Sequence, residues 1–381
     1  MKTNQAVRVG FRVGKYPEIS ETFIDAQIAD MASRGFAVSL LGDTVAPGTG
    51  SGVAVYQTLP RGRVAQKIWP MLPWRMRQAW IAATERRWAA RNDVIVCNFG
   101  WFGAQFERFT RAGQRPPFVT IFHGADLSRN LRDEGERIYD DLLANCDLLL
   151  TVSDLYRRRL LELGAPAEKI AVQRMGVDLS QLAFTPRSPD RPVSRILHVG
   201  RLVEKKGTEF LLRAFAATRS DPGMSAITLD IVGTGPLRSG LEQLAATLAI
   251  TDRVNFAGAL PHDTVRAMLE KTDLFILPSV TAADGDMEGV PVALMEAMAS
   301  GIPVISTRHS GIPELVEHEV TGLLADERDV EQLAAQIRRM VADATLRNRL
   351  VHAARERVEQ QFNRKRLHDA LADMLRTLAR R

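Results

Sequence analysis

Short apolar runs alternate with helix-forming segments along the chain, and they form two successive series. The first series includes the β-branched run 7–13 and the apolar run 118–122, and the second begins with the strand expected at 195–199. Runs that are apolar throughout are typical of buried parallel strands, and strands that alternate with helices predict doubly wound α/β sheets. Such sheets bind ligands at the carboxyl ends of their strands. We therefore expect functional residues directly after strands.

A proline-rich segment separates the two series. Residues 183–192 contain three prolines with polar neighbours, which is typical of a linker. A chain of 381 residues is also long for a single core. We predict an N-terminal domain over 1–185 and a C-terminal domain over 193–362. Two facing Rossmann-like domains of this kind would enclose a cleft between them.

The distribution of charge is more informative than the net charge of +5. Residues 61–91 contain eight basic side chains, one acidic side chain and four of the five tryptophans. Basic residues interleaved with tryptophan suit an anionic membrane surface. Helical tryptophans also fill domain cores, and both interpretations stay open. A nucleic-acid patch is disfavoured, since no recognisable binding module accompanies the basic cluster.

Other classes of protein are disfavoured by simple counts. Cys97 and Cys146 are the two cysteines, so neither a disulfide framework nor a cysteine metal site is expected. No apolar run approaches the ~18 residues of a membrane-spanning helix. No signal peptide is recognisable at the N-terminus. We expect a cytoplasmic enzyme.

Two glutamates flank a predicted helix start within residues 286–296. Glu288 lies in a glycine-containing loop, Pro291 suits a first helical turn, and Glu296 follows nearly two turns later. A helix start offers free N–H groups and partial positive charge, which suit a diphosphate. One carboxylate could then contact a sugar and the other a ribose. The alternative is a loop glutamate followed by an exposed helical one.

Two further segments carry candidate chemistry. Arg201 and Lys206 lie between two glycines, after one predicted strand and before a helix, where two cations could stabilise a diphosphate leaving group. His123 follows the strand 118–122, where its ring could bond a sugar hydroxyl. The alternatives are a solvated surface loop and a structural histidine. Asp284 and Asp286 make a poor metal site by themselves.

A superficial dinucleotide motif at 233–236 lacks its third glycine and an acidic partner, so it is a weak indication of NAD binding.

Together these segments resemble the retaining nucleotide-sugar glycosyltransferases of family 4, which have the GT-B fold. The resemblance is closest to colanic-acid and exopolysaccharide glycosyltransferases. It rests on segments 20–23, 122–128, 169–178 and 277–317. The chain departs from the family pattern in two places. Segment 14–17 lacks a glycine pair, and Ser310-Gly311 replaces another such pair.

The resemblance implies roles for individual residues. Glu288 would contact the transferred sugar and Glu296 the ribose, while Arg201 and Lys206 would hold the diphosphate. His123 would act with Glu288 in the catalytic centre. Backbone N–H groups near Gly289, Val290 and Pro291 would assist, and the acceptor side would include Ser20, Glu21 and Asp126. The resemblance also implies that no metal or other cofactor is needed. The leaving phosphate itself would take the acceptor proton, so no side-chain nucleophile is required.

The implied function is retaining transfer of a sugar from a nucleotide-diphosphate donor to a lipid-linked oligosaccharide in exopolysaccharide biosynthesis. A helix over 363–381 would cross back to the N-terminal domain. The expected partners are the nucleotide sugar, the acceptor and an anionic membrane surface contacted through 61–91, with no nucleic acid. The enzyme would lie peripherally on the inner face of the membrane. The alternative function is a sugar-nucleotide epimerase or phosphorylase of the same fold.

Overall fold

The structure is a computed structural model that describes residues 6–18, 22–46, 52–111, 115–188 and 191–380. The chain divides into two compact units. The first comprises the chain up to Gln173 together with the segment from Arg366, and the second is Arg174–Lys365. The unit boundary thus precedes the proline-rich segment used in the predicted domain limits. Val177 and Leu182 account for this, because both are buried in the core of the second unit.

The first unit contains a seven-stranded parallel sheet and a short two-stranded ribbon. Its strands are β1 (Arg8–Arg12), β2 (Lys15–Tyr16), β3 (Ala37–Gly42), β4 (Thr44–Val45), β5 (Ala54–Gln57), β6 (Val94–Asn98), β7 (Phe118–Phe122), β8 (Leu148–Thr151) and β9 (Ile170–Val172). The order in the sheet is β5-β3-β1-β6-β7-β8-β9, and β2 pairs with β4. The helices are α1 (Thr22–Ser33), α2 (Arg63–Ile68), α3 (Trp74–Ala89), α4 (Gly100–Thr110), α5 (Arg129–Glu134), α6 (Asp140–Asn145) and α7 (Asp154–Glu162).

The second unit contains a six-stranded parallel sheet. Its strands are β10 (Arg195–Val199), β11 (Thr228–Val232), β12 (Val254–Gly258), β13 (Leu274–Leu277), β14 (Val304–Thr307) and β15 (Leu323–Ala325), in the order β12-β11-β10-β13-β14-β15. Its helices are α8 (Thr208–Ala217), α9 (Arg238–Thr247), α10 (His262–Leu269), α11 (Val292–Ala299), α12 (Ile312–Leu315), α13 (Val330–Ala342) and α14 (Ala344–Gln361). The final helix is α15 (Arg364–Leu378), and its Leu371, Leu375 and Leu378 are buried in the core of the first unit.

Both sheets reverse their strand order once, as Rossmann-like sheets do. The reversal lies between β1 and β6 in the first unit and between β10 and β13 in the second. The crevice at such a reversal, beyond the carboxyl ends of the strands, is where doubly wound sheets bind ligands. The predicted α/β fold with two Rossmann-like doubly wound sheets is therefore confirmed. Among the described residues, no helix is long and apolar enough to cross a membrane.

Helix α3 has one buried face and one exposed face, which separates its tryptophans. Trp88 is buried against the sheet and donates to Ser39 Oγ at 2.9 Å. A Cβ atom at Gly10 would lie 2.5 Å from its ring, so a glycine is needed beneath it. Trp74 and Trp80 are instead more than half exposed. The core interpretation of the tryptophan-rich segment is thus correct for Trp88, and the membrane interpretation stays a prediction.

A buried ionic cluster holds α3 to the end of β1. The guanidinium of Arg12 is fully buried and contacts Glu85 Oε1 at 2.9 Å and Asp43 Oδ1 at 2.6 Å. Burial lowers the pKa of Arg12, but the charges of Glu85 and Asp43 outweigh it and leave that pKa above its usual value. Gln105 donates a further hydrogen bond to Glu85 at 2.6 Å. Removing Glu85 would leave the buried guanidinium of Arg12 with only the partly exposed Asp43 as its ionic partner.

We predict that Glu85→Ala destabilises the first unit by roughly 3–5 kcal/mol, because the buried guanidinium of Arg12 loses its buried partner and keeps only the partly exposed Asp43. Urea unfolding followed by tryptophan fluorescence reports this unit alone, since all five tryptophans lie between residues 69 and 101. Glu162→Ala, which removes an exposed i,i+3 pair with Arg159, is the control and should cost at most about 1 kcal/mol. Equal losses for the two variants would contradict the structural role of the cluster.

Candidate active site

Two loops meet at the strand reversal of the second unit, one after β10 and one after β13. Gly207 ends the first loop in the left-handed region, with φ of 64°. A Cβ atom there would lie 1.8 Å from the carbonyl oxygen of Pro278, the first residue after β13. Only glycine permits this close approach. The approach brings the basic residues of the first loop to the acidic residues of the second.

Lysine–carboxylate pairs join the two loops. Lys206 Nζ lies 2.9 Å from Glu288 Oε1, and Lys205 Nζ lies 3.0 Å from Asp286 Oδ2. Lys205 Nζ is also 3.9 Å from Glu288 Oε1. All four side chains are at most 15% exposed. Sequence reasoning identified Lys206 and Glu288 but not Lys205.

The carboxyl group of Glu288 is ionised despite its burial. Burial raises its pKa, but the positive charges of Lys206 and Lys205 together lower it by more than burial raises it. The pKa therefore lies below its usual value. A carboxylate held in this way stays negative at neutral pH. It can accept hydrogen bonds from hydroxyl groups and stabilise positive charge that develops nearby.

The backbone of Glu288 is held on both sides by a loop after β14. Its N–H donates to His309 Nε2 at 3.0 Å, and Ser310 Oγ donates to its carbonyl oxygen at 2.6 Å. His309 is fully buried, and its Nδ1 lies 2.6 Å from Glu327 Oε1. Because Nε2 accepts a hydrogen bond, the ring proton is assigned to Nδ1. These contacts position Glu288 without touching its carboxylate.

Ser310 occupies an unusual backbone conformation, with φ of 47°. The left-handed region favours glycine, and this is one of the two places where a family glycine pair is replaced. The serine hydroxyl supplies a contact to Glu288 that glycine could not make. Neither His309 nor Glu327 was identified from the sequence. Both act through Glu288, and a histidine next to a turn carries no recognisable motif.

The remaining predicted donor residues surround the same strand reversal. Arg201 is exposed on the loop after β10, and Val290 is buried just before α11. Gly289 and Pro291 lead into that helix, which begins at Val292. Glu296 lies within it, and its Oε1 is 2.8 Å from Nε2 of His262, another residue that sequence reasoning missed. The roles predicted for these residues stay predictions.

His123 lies in the first unit, directly after β7. Its ring packs between Phe23 and Phe99, each with a centroid distance of 4.7 Å, and its Nε2 lies 3.2 Å from Asn98 Oδ1. Burial lowers its pKa to about 3, so the ring is neutral at physiological pH. Since Oδ1 only accepts, the proton is on Nε2. The buried Nδ1, with no partner among the described residues, is left as an acceptor.

The structure describes one of the three predicted acceptor-side residues, Asp126. The buried carboxylate of Asp126 accepts hydrogen bonds from the backbone N–H groups of Gly100, His123 and Gly124, at 2.8 to 3.1 Å. These contacts hold the turn that carries His123. A direct contact between Asp126 and an acceptor stays a prediction. Ser20 and Glu21 lie outside the described residues.

Comparisons with known proteins identify the family. Two family models match: "Glycosyl transferase 4-like domain" over residues 20–176 and "Glycosyl transferases group 1" over 187–357. The chain is 38% identical to the "Putative colanic acid biosynthesis glycosyltransferase WcaL" of Escherichia coli, across 98% of this chain and 100% of that protein. The chain belongs to this glycosyltransferase family.

A second relative agrees with this assignment, and a solved structure agrees with the fold. The amylovoran biosynthesis glycosyltransferase AmsK of Erwinia amylovora is 40% identical, across 78% of this chain and 73% of that protein. Among solved structures, Anabaena Alr3699/HepE in complex with UDP matches with a TM-score of 0.78 at 20% identity, across 97% of this chain and 100% of that one. The predicted GT-B fold class and the prediction of a glycosyltransferase are confirmed.

We predict that Ser310→Gly and Ser310→Ala both lower the glycosyltransfer rate by about tenfold, the value of one hydrogen bond to the backbone of Glu288. Their stabilities should differ. Glycine relieves the left-handed strain, whereas alanine retains it, at about 1 kcal/mol. Thermal unfolding and the transfer rate, measured on the same samples, separate the two effects.

Ala249→Gly is the matched control for the Ser310 variants. Ala249 also has a positive φ, of 53°, and its side chain is exposed, so glycine should stabilise the protein there without changing its rate. If Ser310→Gly kept the wild-type rate, the serine contact would have no part in positioning Glu288.

Proposed function

We propose that this glycosyltransferase transfers a sugar from a nucleotide-diphosphate donor to a lipid-linked oligosaccharide, with retention of configuration, in exopolysaccharide biosynthesis. The observation that carries the proposal is the buried pair of Lys206 and Glu288 at the strand reversal. It places a cation suited to a phosphate next to a carboxylate suited to a sugar. WcaL is described as a putative colanic acid biosynthesis glycosyltransferase and AmsK as an amylovoran biosynthesis glycosyltransferase, which supports the proposed pathway.

The leaving group would be stabilised by side chains rather than by a bound metal. Arg201 and Lys206 supply positive charge, and the start of α11 supplies backbone N–H groups near Gly289. Negative charge that develops on the diphosphate would interact with fixed donors, which need no reorganisation during the reaction. Structures of HepE with UDP and with UDP-glucose support a nucleotide-sugar donor for this fold.

Each of the two predicted sugar contacts would accept hydrogen bonds, one as a charged group and one as a neutral group. The ionised Glu288 would accept from sugar hydroxyls of the donor and stabilise positive charge at the anomeric carbon. The neutral His123 would accept from a hydroxyl through Nδ1, because its proton is used toward Asn98. In a retaining reaction at the front face, the acceptor proton passes to the leaving phosphate, so neither side chain has to act as a nucleophile.

We expect Arg201→Ala to abolish stabilisation by the cognate nucleoside diphosphate. A ligand at 100 times its Kd stabilises the folded state by about 2.7 kcal/mol, which a thermal unfolding scan with UDP, GDP or ADP detects. Arg201 is exposed, so its removal should leave the unliganded protein unchanged. Lys271→Ala, which removes an exposed lysine elsewhere in the unit, should bind normally.

Glu288→Ala should retain nucleotide binding and lose most transfer. If none of the three nucleotides stabilised the wild-type protein, the proposed donor would be wrong. Release of an altered nucleotide sugar without any acceptor would instead indicate the epimerase alternative.

The proposed location is the inner face of the membrane, with contact through an apolar face on α2, α3 and the turn between them. Six of the eight exposed large hydrophobic residues found among the described residues lie within 64–80. They are Val64, Ile68, Met71, Trp74, Met76 and Trp80. Exposed Arg61, Lys67 and Arg75 accompany them, and this combination suits anionic headgroups above an apolar layer.

We expect Met71→Ser with Trp74→Ser to abolish binding to vesicles that contain anionic lipid. Replacing Lys67, Arg75 and Arg87 by serine should weaken binding roughly 100-fold at low salt, at about 1 kcal/mol per basic residue. Vesicle co-sedimentation at two salt concentrations measures both effects. Val320→Ser removes an exposed hydrophobic residue from the second unit and should bind as the wild type does. Unchanged binding by the double variant would rule out this face as the membrane contact.

A further inference from the structure

A histidine contacts the glutamate that is proposed to bind the ribose. His262 is the first residue of α10, and its Nε2 lies 2.8 Å from Oε1 of Glu296 on α11. The two side chains differ in access to solvent, because Glu296 is 12% exposed and His262 is 61% exposed. The histidine thus reaches the carboxylate from its solvent side.

The contact occupies only one oxygen of the carboxylate. Glu296 Oε1 is engaged by His262, and a carboxylate offers further lone pairs on Oε2. A glutamate without a fixed partner samples several rotamers and must be ordered when a ligand binds, which weakens binding. A partner on Oε1 removes that freedom beforehand and leaves Oε2 available.

We propose that His262 is a positioning residue of the donor site, which orients Glu296 so that Oε2 receives a ribose hydroxyl. The proposal rests on the proposed function, because it takes Glu296 as the ribose contact. It extends that function by assigning a role to a residue on a different helix. It also predicts that the affinity for nucleoside diphosphates depends on the protonation of this histidine.

The groups around His262 define the direction of this dependence. The hydrogen bond that His262 donates to Glu296 raises the pKa of His262 most, burial lowers this pKa, and the charge of Glu296 raises it. On the same helix, Arg266 lowers that pKa and Asp263 raises it. Arg266 is itself bonded to Asp263 at 2.8 Å and to Gln181 at 2.7 Å. The net shift is upward, so the imidazolium persists to higher pH than in a free histidine.

The first experiment measures nucleotide affinity by calorimetry for His262→Ala, His262→Gln and Asp263→Asn. The probe is UDP or GDP, whichever stabilises the wild-type protein, together with its 2′-deoxy and 3′-deoxy forms. We expect His262→Ala to bind the ribonucleotide about fivefold to tenfold more weakly, the value of one ordinary hydrogen bond. For the deoxy form that lacks the hydroxyl bound by Glu296, His262→Ala should weaken binding much less. His262→Gln, which can still donate to Oε1, should recover part of the affinity.

The second experiment compares wild type with His262→Gln between pH 6 and pH 9. The ratio of their Kd values cancels the titration of the nucleotide phosphates. The wild-type advantage should be largest at low pH, where His262 is charged, and should disappear as pH rises through its raised pKa. Asp263→Asn changes an exposed side chain one residue away, and this variant should still bind more tightly than His262→Gln in a pH-dependent way.

The results separate this inference from the proposed function. If Glu296→Gln weakens binding but His262→Ala binds as tightly as the wild type, or more tightly, the positioning role is overturned and the donor site stands. A ratio that stays constant with pH overturns the role of the imidazolium. If no nucleoside diphosphate binds the wild-type protein, the proposed function fails and the inference fails with it.

Discussion

The ion pair between Lys206 and Glu288 connects the loops that form the candidate site. Burying two charges is costly, and their mutual attraction offsets this only when the geometry is good and other groups assist. Here Lys205 adds a second cation at 3.9 Å from Glu288. The close approach of Gly207 to Pro278 brings the loops together, and that approach exists because β10 and β13 are neighbours in the sheet. The pair therefore depends on the strand order of the whole unit.

Much of the fold could be predicted, because most strands are buried on both faces. Phe118–Phe122, Arg195–Val199 and Leu274–Leu277 have the limits expected from their apolar runs. The strand Ala54–Gln57 was missed because it is only partly buried and ends in a polar residue. The buried residues of α3 recur with a helical period, and they are Ala82, Glu85, Trp88 and Ala89. Because one of them is a glutamate, the sequence pattern does not show a continuous apolar face. The partner of this glutamate, Arg12, is 73 positions away along the chain.

The candidate site was predicted less completely than the fold. Glu288 and Lys206 belong to local motifs, and the structure brings them together although they are far apart in sequence. Lys205, His309 and Glu327 escaped notice because their roles exist only in three dimensions. His309 is 21 positions from the backbone group it contacts and 18 positions from Glu327. Such contacts depend on neighbouring strand ends, which a single sequence does not pair.

In the proposed function, the two lysines have separate tasks. An incoming diphosphate competes with Glu288 for Lys206, and a glutamate left alone at 10% exposure would become less acidic. Lys205 limits this effect because it remains bound to Asp286 beside the same carboxylate. The backbone contacts from His309 and Ser310 are also unaffected when Lys206 exchanges the carboxylate of Glu288 for the phosphate. Glu288 can thus keep its position and its negative charge while Lys206 neutralises the leaving group. A single lysine could not neutralise the leaving group and keep Glu288 ionised at the same time.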